Sequence, residues 1–278
     1  MVGVVLVFLI CLTIGLITAF VGSIMGLGGG IILIPTLLLV SSFLDSFSWV
    51  TPQSIVGISL IAMIVTALSS TLSYAKVKRV DYKTGLLFLT GSIPGGAIGS
   101  WLNQFVDSKS FLLYFGILMI VISLLFFIKR DRNHKKEFTG DEKGVRTFEL
   151  FGETYRYRVP ILGAFVLSLI VGTLSGLFGI GGGSIMVPAM ILLFGFPAHI
   201  ATATSMFMIF FVSIVGASTH IVLGHIAWEY VLFFIPGAWI GGKLGAKVNQ
   251  LLPGKVLEWG LRVILIFIGL RMIYQGFS

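Results

Sequence analysis

The feature that most constrains this chain is a series of ten apolar segments, eight of them near 20 residues long, separated by short polar turns. They fall near residues 3–24, 31–44, 53–75, 84–104 and 110–128, and then near 159–178, 184–196, 199–222, 230–249 and 256–275. A helix of about 20 residues matches the ~30 Å hydrocarbon core of a bilayer. In lipid the backbone must satisfy its own hydrogen bonds, which selects helices once no strand pattern is present. Charged residues make up 11% of the chain, against about 25% in soluble domains. The expected class is therefore an all-α polytopic membrane protein. Met1–Ala19 has no basic leader and no small-residue cleavage site, so it reads as the first membrane helix. Cys11 is the sole cysteine, which excludes an internal disulfide and a multi-cysteine metal site. The net charge of +8 concerns orientation in a bilayer and gives no reason to expect nucleic acid.

The segments divide into two repeats, 1–128 and 159–278, joined by a charged linker, 129–158. "GLGGGIILIP" at Gly26–Pro35 returns as "GIGGGSIMVP" at Gly179–Pro188. Pro52 pairs with Pro197 and Ser59 with Ser205, and the glycines at 91, 95, 96 and 99 fall on 237, 241, 242 and 245. An odd number of crossings per repeat turns the second copy upside down. With the linker in the cytoplasm, 17 of the 19 Lys and Arg residues flank cytoplasmic connections, Lys109 and Arg271 being the exceptions. Residues 76–83, 129–158 and 250–255 are then expected in the cytoplasm and both ends of the chain outside it. Two inverted-topology repeats of about five segments are the recurrent plan of secondary transporters.

The segments after the glycines reach only about 20 Å each, less than a full hydrocarbon core of ~30 Å, and read as half-helices. Each with its preceding helix makes two crossings or a re-entrant unit with none, which keeps the crossing number odd. Glycine lets the chain leave helical geometry, and the next turn then offers unpaired N–H groups and the positive end of the helix dipole to an anion. Gly28, Gly29, Gly30, Gly181, Gly182 and Gly183 are accordingly expected to build a substrate site between the repeats. The competing reading is tight helix packing at the glycines, with Pro35 and Pro188 as kinks.

The paired "GxGGG…P" elements, "FPAHIATATS" from Phe196 and the glycine-spaced segments resemble the TauE/SafE sulfite-exporter-like membrane proteins. The resemblance covers all the membrane segments but not the linker. It implies a plasma-membrane carrier of small sulfur-containing anions such as sulfite, thiosulfate or organosulfonates. The family's second-half pattern is met by His199, Ala201, Thr204 and Ser205; in the first half Ser54 stands at the histidine position and the hydroxyl pair is reduced to Ser59. Ala227 stands where the first half has Asp81, which puts the role of that acidic position in question.

Every carboxylate falls in a loop or near a helix end, which argues against a carboxylate-caged cation and an Asp or Glu proton relay. The histidines lack partners at zinc-ligand spacing, so no metal or cofactor is expected. Thr202, Ser205, Ser213, Gly216 and His220 share one helical face, opposite a counterpart of Ser59, Met63, Ala67, Ser70 and Tyr74. Ser184, Thr204, Ser205 and Ser59 are expected to donate to the anion with His199 beside them in the substrate site, and His199 and His220 are candidates for a proton path. The alternative for His220 is a hydrogen-bonded histidine at the outer interface. Lys243 can snorkel to the interface, and Arg262 reads as an anchor. Phe148–Val159 alternates as a surface hairpin around Gly152. The expected partners are a small anion and the lipid bilayer. An anion channel, a membrane enzyme of sulfur metabolism and a scaffold subunit are the competing functions, and the oligomeric state stays open.

Overall fold

The computed structural model describes residues 2–125, 145–150 and 153–252, and, of the last segment, residues 259, 263, 266, 267, 269–271, 273 and 274. Arg262 and the linker residues 129–144 lie outside the described residues. The order is α1 (Val2–Met25), α2 (Gly30–Ser41), α3 (Pro52–Lys76), α4 (Tyr82–Leu102) and α5 (Ser108–Leu125). Then come strands β1 (Val145–Leu150) and β2 (Glu153–Arg158), followed by α6 (Ile161–Phe178), α7 (Gly183–Ala189), α8 (Ala198–Val222) and α9 (Trp228–Asn249). Six of these helices are long and apolar enough to cross a membrane, which fits the expected all-α polytopic membrane class, with one β-hairpin added outside the spans. α2 has 12 residues, and α7 with its π-helical continuation runs Gly183–Phe194. Both remain short, as expected. The described residues of the last segment are helical.

Local chemistry explains where the elements start. α3 opens with a capping box: Ser54 N–H donates to the Thr51 hydroxyl and Thr51 N–H to the Ser54 hydroxyl, with Pro52 at the first helical position. Asp81 caps α4 by accepting from Thr84 N–H at 3.1 Å. Ala227 holds the same place before α9 with no side chain that can cap.

α3 and α8 lie at the centre, about two thirds or more of each buried, whereas the other spans are half buried or less. They run antiparallel: His199 at the start of α8 meets Arg79 beyond the end of α3, and Gly57 near the start of α3 faces His220 and Ile226 at the other end of α8. α4 packs along α6, and α9 along α1. The glycine-spaced runs make these contacts. A Cβ on Gly91, Gly95 or Gly99 would strike α6 at Phe165 O, Leu169 O or Thr173 O. One on Gly237, Gly241 or Gly245 would strike α1 at Leu12 O, Leu16 O or Phe20 O. Small residues one helical turn apart let two backbones approach where lipid supplies no hydrophobic drive. α5 packs on the last segment through Gly116 and Gly269.

The two strands form the antiparallel hairpin expected of the linker's end, with Phe148 opposite Tyr155 and Arg146 opposite Tyr157. Its turn, residues 151–152, lies outside the described residues. Arg146, Phe148, Tyr155 and Tyr157 form the more covered face, while Thr147, Glu149, Thr154, Arg156 and Arg158 are exposed.

Candidate functional site

The two glycine elements meet at the centre of the molecule. Gly26, Gly28 and Gly29 have φ of 76°, 79° and 98°, and Gly179, Gly181 and Gly182 repeat this with 65°, 71° and 70°. These left-handed values disfavour any side chain. The fourth glycine has a different reason. A Cβ on Gly30 would collide with the Gly179 carbonyl, and one on Gly183 with the Gly26 carbonyl. Each element thus lies against the turn of the other. Gly28 and Gly181 both face the Met63 sulfur and the Ile209 side chain.

Cross-braces hold this junction. Ser59 donates to Gly179 O at 2.7 Å, and Ser205 donates to Gly26 O at 2.6 Å. Asn103 donates to Leu177 O at 2.8 Å, and Asn249 to Ile24 O at 2.6 Å. In every case a side chain of one half satisfies a carbonyl that the broken helix of the other half leaves unpaired. Tyr74 adds a bond to Ser23 O at 2.8 Å. The first intrahelical bonds of α2 come from Ile32 and Leu33 N–H to Gly29 O, and those of α7 from Ile185 and Met186 N–H to Gly182 O. The N–H groups of Gly30, Ile31, Gly183 and Ser184 therefore have no acceptor inside their own helices.

Beside the second element is a small cavity lined by Ser92, Ser175, Gly181, Gly182, Gly183 and Ser205, with Met186 and Met208 among its apolar walls. Its ≈ 10 Å³ is room for about one water. The hydroxyls of Ser175, Ser184 and Ser213 are sealed with no hydrogen-bond partner in the protein. Buried polar atoms in folded proteins are nearly always paired, so Ser175 on the cavity wall and Ser184 at the start of α7 mark the polar capacity of the region. Ser92 is already committed, donating to Phe88 O at 2.7 Å.

Each end of the α3–α8 pair carries its own polar cluster. At one mouth Arg79, 6% exposed, places Nη1 3.5 Å from Nδ1 of His199 and 3.4 Å from Oδ1 of Asn249. A guanidinium only donates, so Nδ1 of His199 accepts. Burial lowers the Arg79 guanidinium from its ordinary value, opposed by the nearby Tyr74 hydroxyl. Next to it, the Asp81 carboxylate accepts from the hydroxyls of Thr84 and Tyr157, each at 2.5 Å, and Asp81 N–H donates to the Thr204 hydroxyl at 3.0 Å. The Tyr157 ring lies on Phe196 with centroids 3.9 Å apart. The other mouth is an open vestibule of ≈ 460 Å³ lined by Thr51, Gln53, Ser54, Gln104 and His225. Behind it His220 Nδ1 is 3.1 Å from His225 Nδ1.

Of the residues singled out from the sequence, the six glycines, Ser59 and Ser205 come together at the junction. Ser184 is buried there, though not on the cavity wall. Thr204 turns its hydroxyl to Asp81, and His199 and His220 sit at opposite mouths. Lys243 is exposed. Ser175, Ser92, Asn103, Asn249, Tyr157 and His225 were missed as a group. One signal was available: the asparagines repeat at the same offset as the paired serines and close the glycine-spaced segments.

The profile of the family described as Sulfite exporter TauE/SafE matches residues 11–272. A probable membrane transporter protein of Bacillus subtilis (strain 168), YunE, is 47% identical over 271 residues, which cover 97% of this chain and 98% of that protein. A probable membrane transporter protein of Methanocaldococcus jannaschii is 27% identical over 273 residues, covering 94% of this chain and 93% of its own. No solved structure gives a significant match. With matched glycine turns at its centre and the family profile running through both halves, the chain belongs to the sulfite exporter TauE/SafE family.

Proposed function

We propose that the protein is a secondary carrier for a small sulfur-containing anion of the sulfite, thiosulfate or organosulfonate class. In this reading the two halves are inverted repeats and the anion binds where the glycine elements meet. The observation that carries it is the cross-braced junction, in which two broken helices turn unpaired N–H groups into a buried region with unpartnered hydroxyls. Such a place favours a compact anion, because backbone donors and the helix dipole act together without a fixed carboxylate to repel it. The exchange of partners between halves supports the inverted repeat: Ser59 and Ser205, and Asn103 and Asn249, do the same task for each other's glycine element. The relatives' description as probable membrane transporters supports transport as the activity.

Donors for the anion are the N–H groups of Gly30, Ile31, Gly183 and Ser184, with the Ser184 and Ser175 hydroxyls. Gly28, Gly29, Gly181 and Gly182 set the turns, Ser59 and Ser205 hold them, and Thr204 is tied to the mouth through Asp81. His199, beside Arg79, receives the anion at that mouth. The cavity, with room for about one water, is smaller than any sulfur oxyanion, so binding requires the elements to part, as in alternating access.

The test is counterflow. Proteoliposomes preloaded with unlabelled thiosulfate should take up labelled thiosulfate faster than empty ones, and Gly182→Val, placed at φ 70°, should abolish this while the protein still inserts. Flux that saturates without counterflow identifies a channel, and uptake indifferent to sulfur oxyanions removes the substrate reading.

A further inference from the structure

The vestibule holds a titratable pair that the anion site does not use. His220 is wholly buried near the end of α8, and His225 sits in the loop that follows. Their Nδ1 atoms lie 3.1 Å apart. Two bare imidazole nitrogens repel at that distance and two N–H groups collide, so a single proton lies between them. Nε2 of His220 is sealed from water and has no partner. His225 is half-buried and lines the vestibule, so water reaches the pair through its ring.

The same corner exists in the other half with different chemistry. His225 N–H donates to His220 O at 3.0 Å, and Arg79 N–H donates to Tyr74 O at 3.2 Å. Gly224 and Lys78, the residues before them, both have positive φ, 72° and 54°. A phenol and a guanidinium do not exchange protons near neutrality, whereas two imidazoles do. The fold therefore builds one corner twice and places two imidazoles in contact in only one; at the other, the single imidazole of His199 meets the Arg79 guanidinium.

The elements around the pair leave it free to titrate on its own terms. The start of α3 presents Thr51, Gln53, Ser54 and Gly57, the turn after α4 presents Gln104, and the loop presents Ile226 and Ala227. None of these titrates. Asp107 and Lys109, just beyond Gln104, and Glu229, just beyond Ala227, are exposed.

We propose that His220 and His225 form a proton-loading site that takes one proton from the vestibule and carries it as the coupling ion of the transport cycle. This rests on the carrier reading above. At rest His225 Nδ1–H donates to Nδ1 of His220. A hydronium in the vestibule gives its proton to Nε2 of His225 and leaves as water. The added charge stays mainly on the half-buried His225 ring, whose Nδ1–H goes on donating to Nδ1 of His220 and so shares the proton with the buried ring. Burial holds His225 below the ordinary histidine range, which disfavours the charged pair in the absence of an anion. The anion's field favours the protonated pair, and by reciprocity the protonated pair favours the anion.

Two measurements on the full chain test this. In nanodiscs with ¹⁵N-labelled histidine, two of the four histidines should titrate as one coupled pair, and His225→Gln should abolish the coupling. Independent titration of the two rings overturns the proposal. In proteoliposomes at zero membrane potential, labelled thiosulfate should accumulate about tenfold per unit of imposed pH gradient if one proton moves with each anion. In His220→Gln and His225→Gln the ratio of accumulation to exchange should no longer depend on the gradient. His225 is a loop residue, so its variant keeps the test available if His220→Gln misfolds. An unchanged gradient response in His225→Gln refutes the coupling role. If the parent protein does not carry thiosulfate, the substrate reading falls, and the proton site stands or falls on the titration alone.

Discussion

A hydroxyl proton is donated once, and Ser205 spends its own on the Gly26 carbonyl at 2.6 Å, as Ser59 does on Gly179. In the sequence Ser205 has Thr204 beside it, whereas Ser59 follows Ile58. The fold gives the two serines the same task and turns Thr204 away. Ser205→Ala and Ser59→Ala should therefore each destabilise the protein by about 1–3 kcal/mol, since each leaves a buried carbonyl without its donor. Ser184→Ala removes a hydroxyl that has no partner in the protein, so its melting temperature should stay level or rise. Its stabilisation by thiosulfate should shrink. Melting curves of the detergent-solubilised protein, with and without thiosulfate, separate these cases. If Ser205→Ala melts like the parent but loses the thiosulfate response, the serine serves the anion and not the turn.

At the scale of elements, the hairpin is the part whose role the apolar segments do not foretell. Tyr157, 2% exposed, ties β2 to the cap of α4 through Asp81 and rests on Phe196, just past the π-helical end of the second half-helix. Asp81 is thus a cap and an anchor at once, which accounts for an acidic residue that α9 does without. Tyr157→Phe removes a bond to a charged acceptor, about 1.5–3 kcal/mol. Tryptic cleavage after the exposed Arg156 and Arg158 should rise about tenfold or more at pH 8. Unchanged cleavage means that the bond does not hold the hairpin. Burial, and then the Asp81 carboxylate, hold the Tyr157 phenol above the ordinary tyrosine value. Docking therefore contributes its full stability below about pH 10, where the free phenol is protonated, and loses it as the pH climbs above that. The difference between parent and Tyr157→Phe alkaline absorbance titrations should show a phenol ionising above about pH 10.

The whole molecule carries an orientation argument. The Arg79–His199 mouth lies at the linker end with the hairpin, and the vestibule lies at the opposite end of α3 and α8. We propose that the first faces the cytoplasm, because 17 of the 19 basic residues then flank cytoplasmic connections. In a Cys11→Ala background, Asp107→Cys should react with an impermeant thiol reagent in intact cells. Thr147→Cys should react only after permeabilisation. The reverse pattern would turn the protein over and put the histidine pair in the cytoplasm. Cys11 itself is wholly buried, so the parent protein should stay unlabelled in both conditions.

The sequence by itself determined the six long spans found among the described residues, the two short segments and the place of the glycine turns. Hydrophobic length, helix rise and the missing Cβ are local properties that each residue carries into any fold. It also marked which positions correspond between the halves, because paired residues such as Ser59 and Ser205 keep a nearly constant offset. Only the tertiary structure decided which carbonyl each polar side chain satisfies. Ser59 reaches Gly179 across 120 residues, Tyr157 reaches Asp81 across 76, and Asn249 reaches Ile24 across 225. Even the histidine pair, five residues apart, depends on the left-handed turn at Gly224 folding the loop back over α8. A serine or asparagine in a sequence announces a donor. Its acceptor is whichever broken helix end packing leaves unpaired beside it, and that is set by how the helices cross.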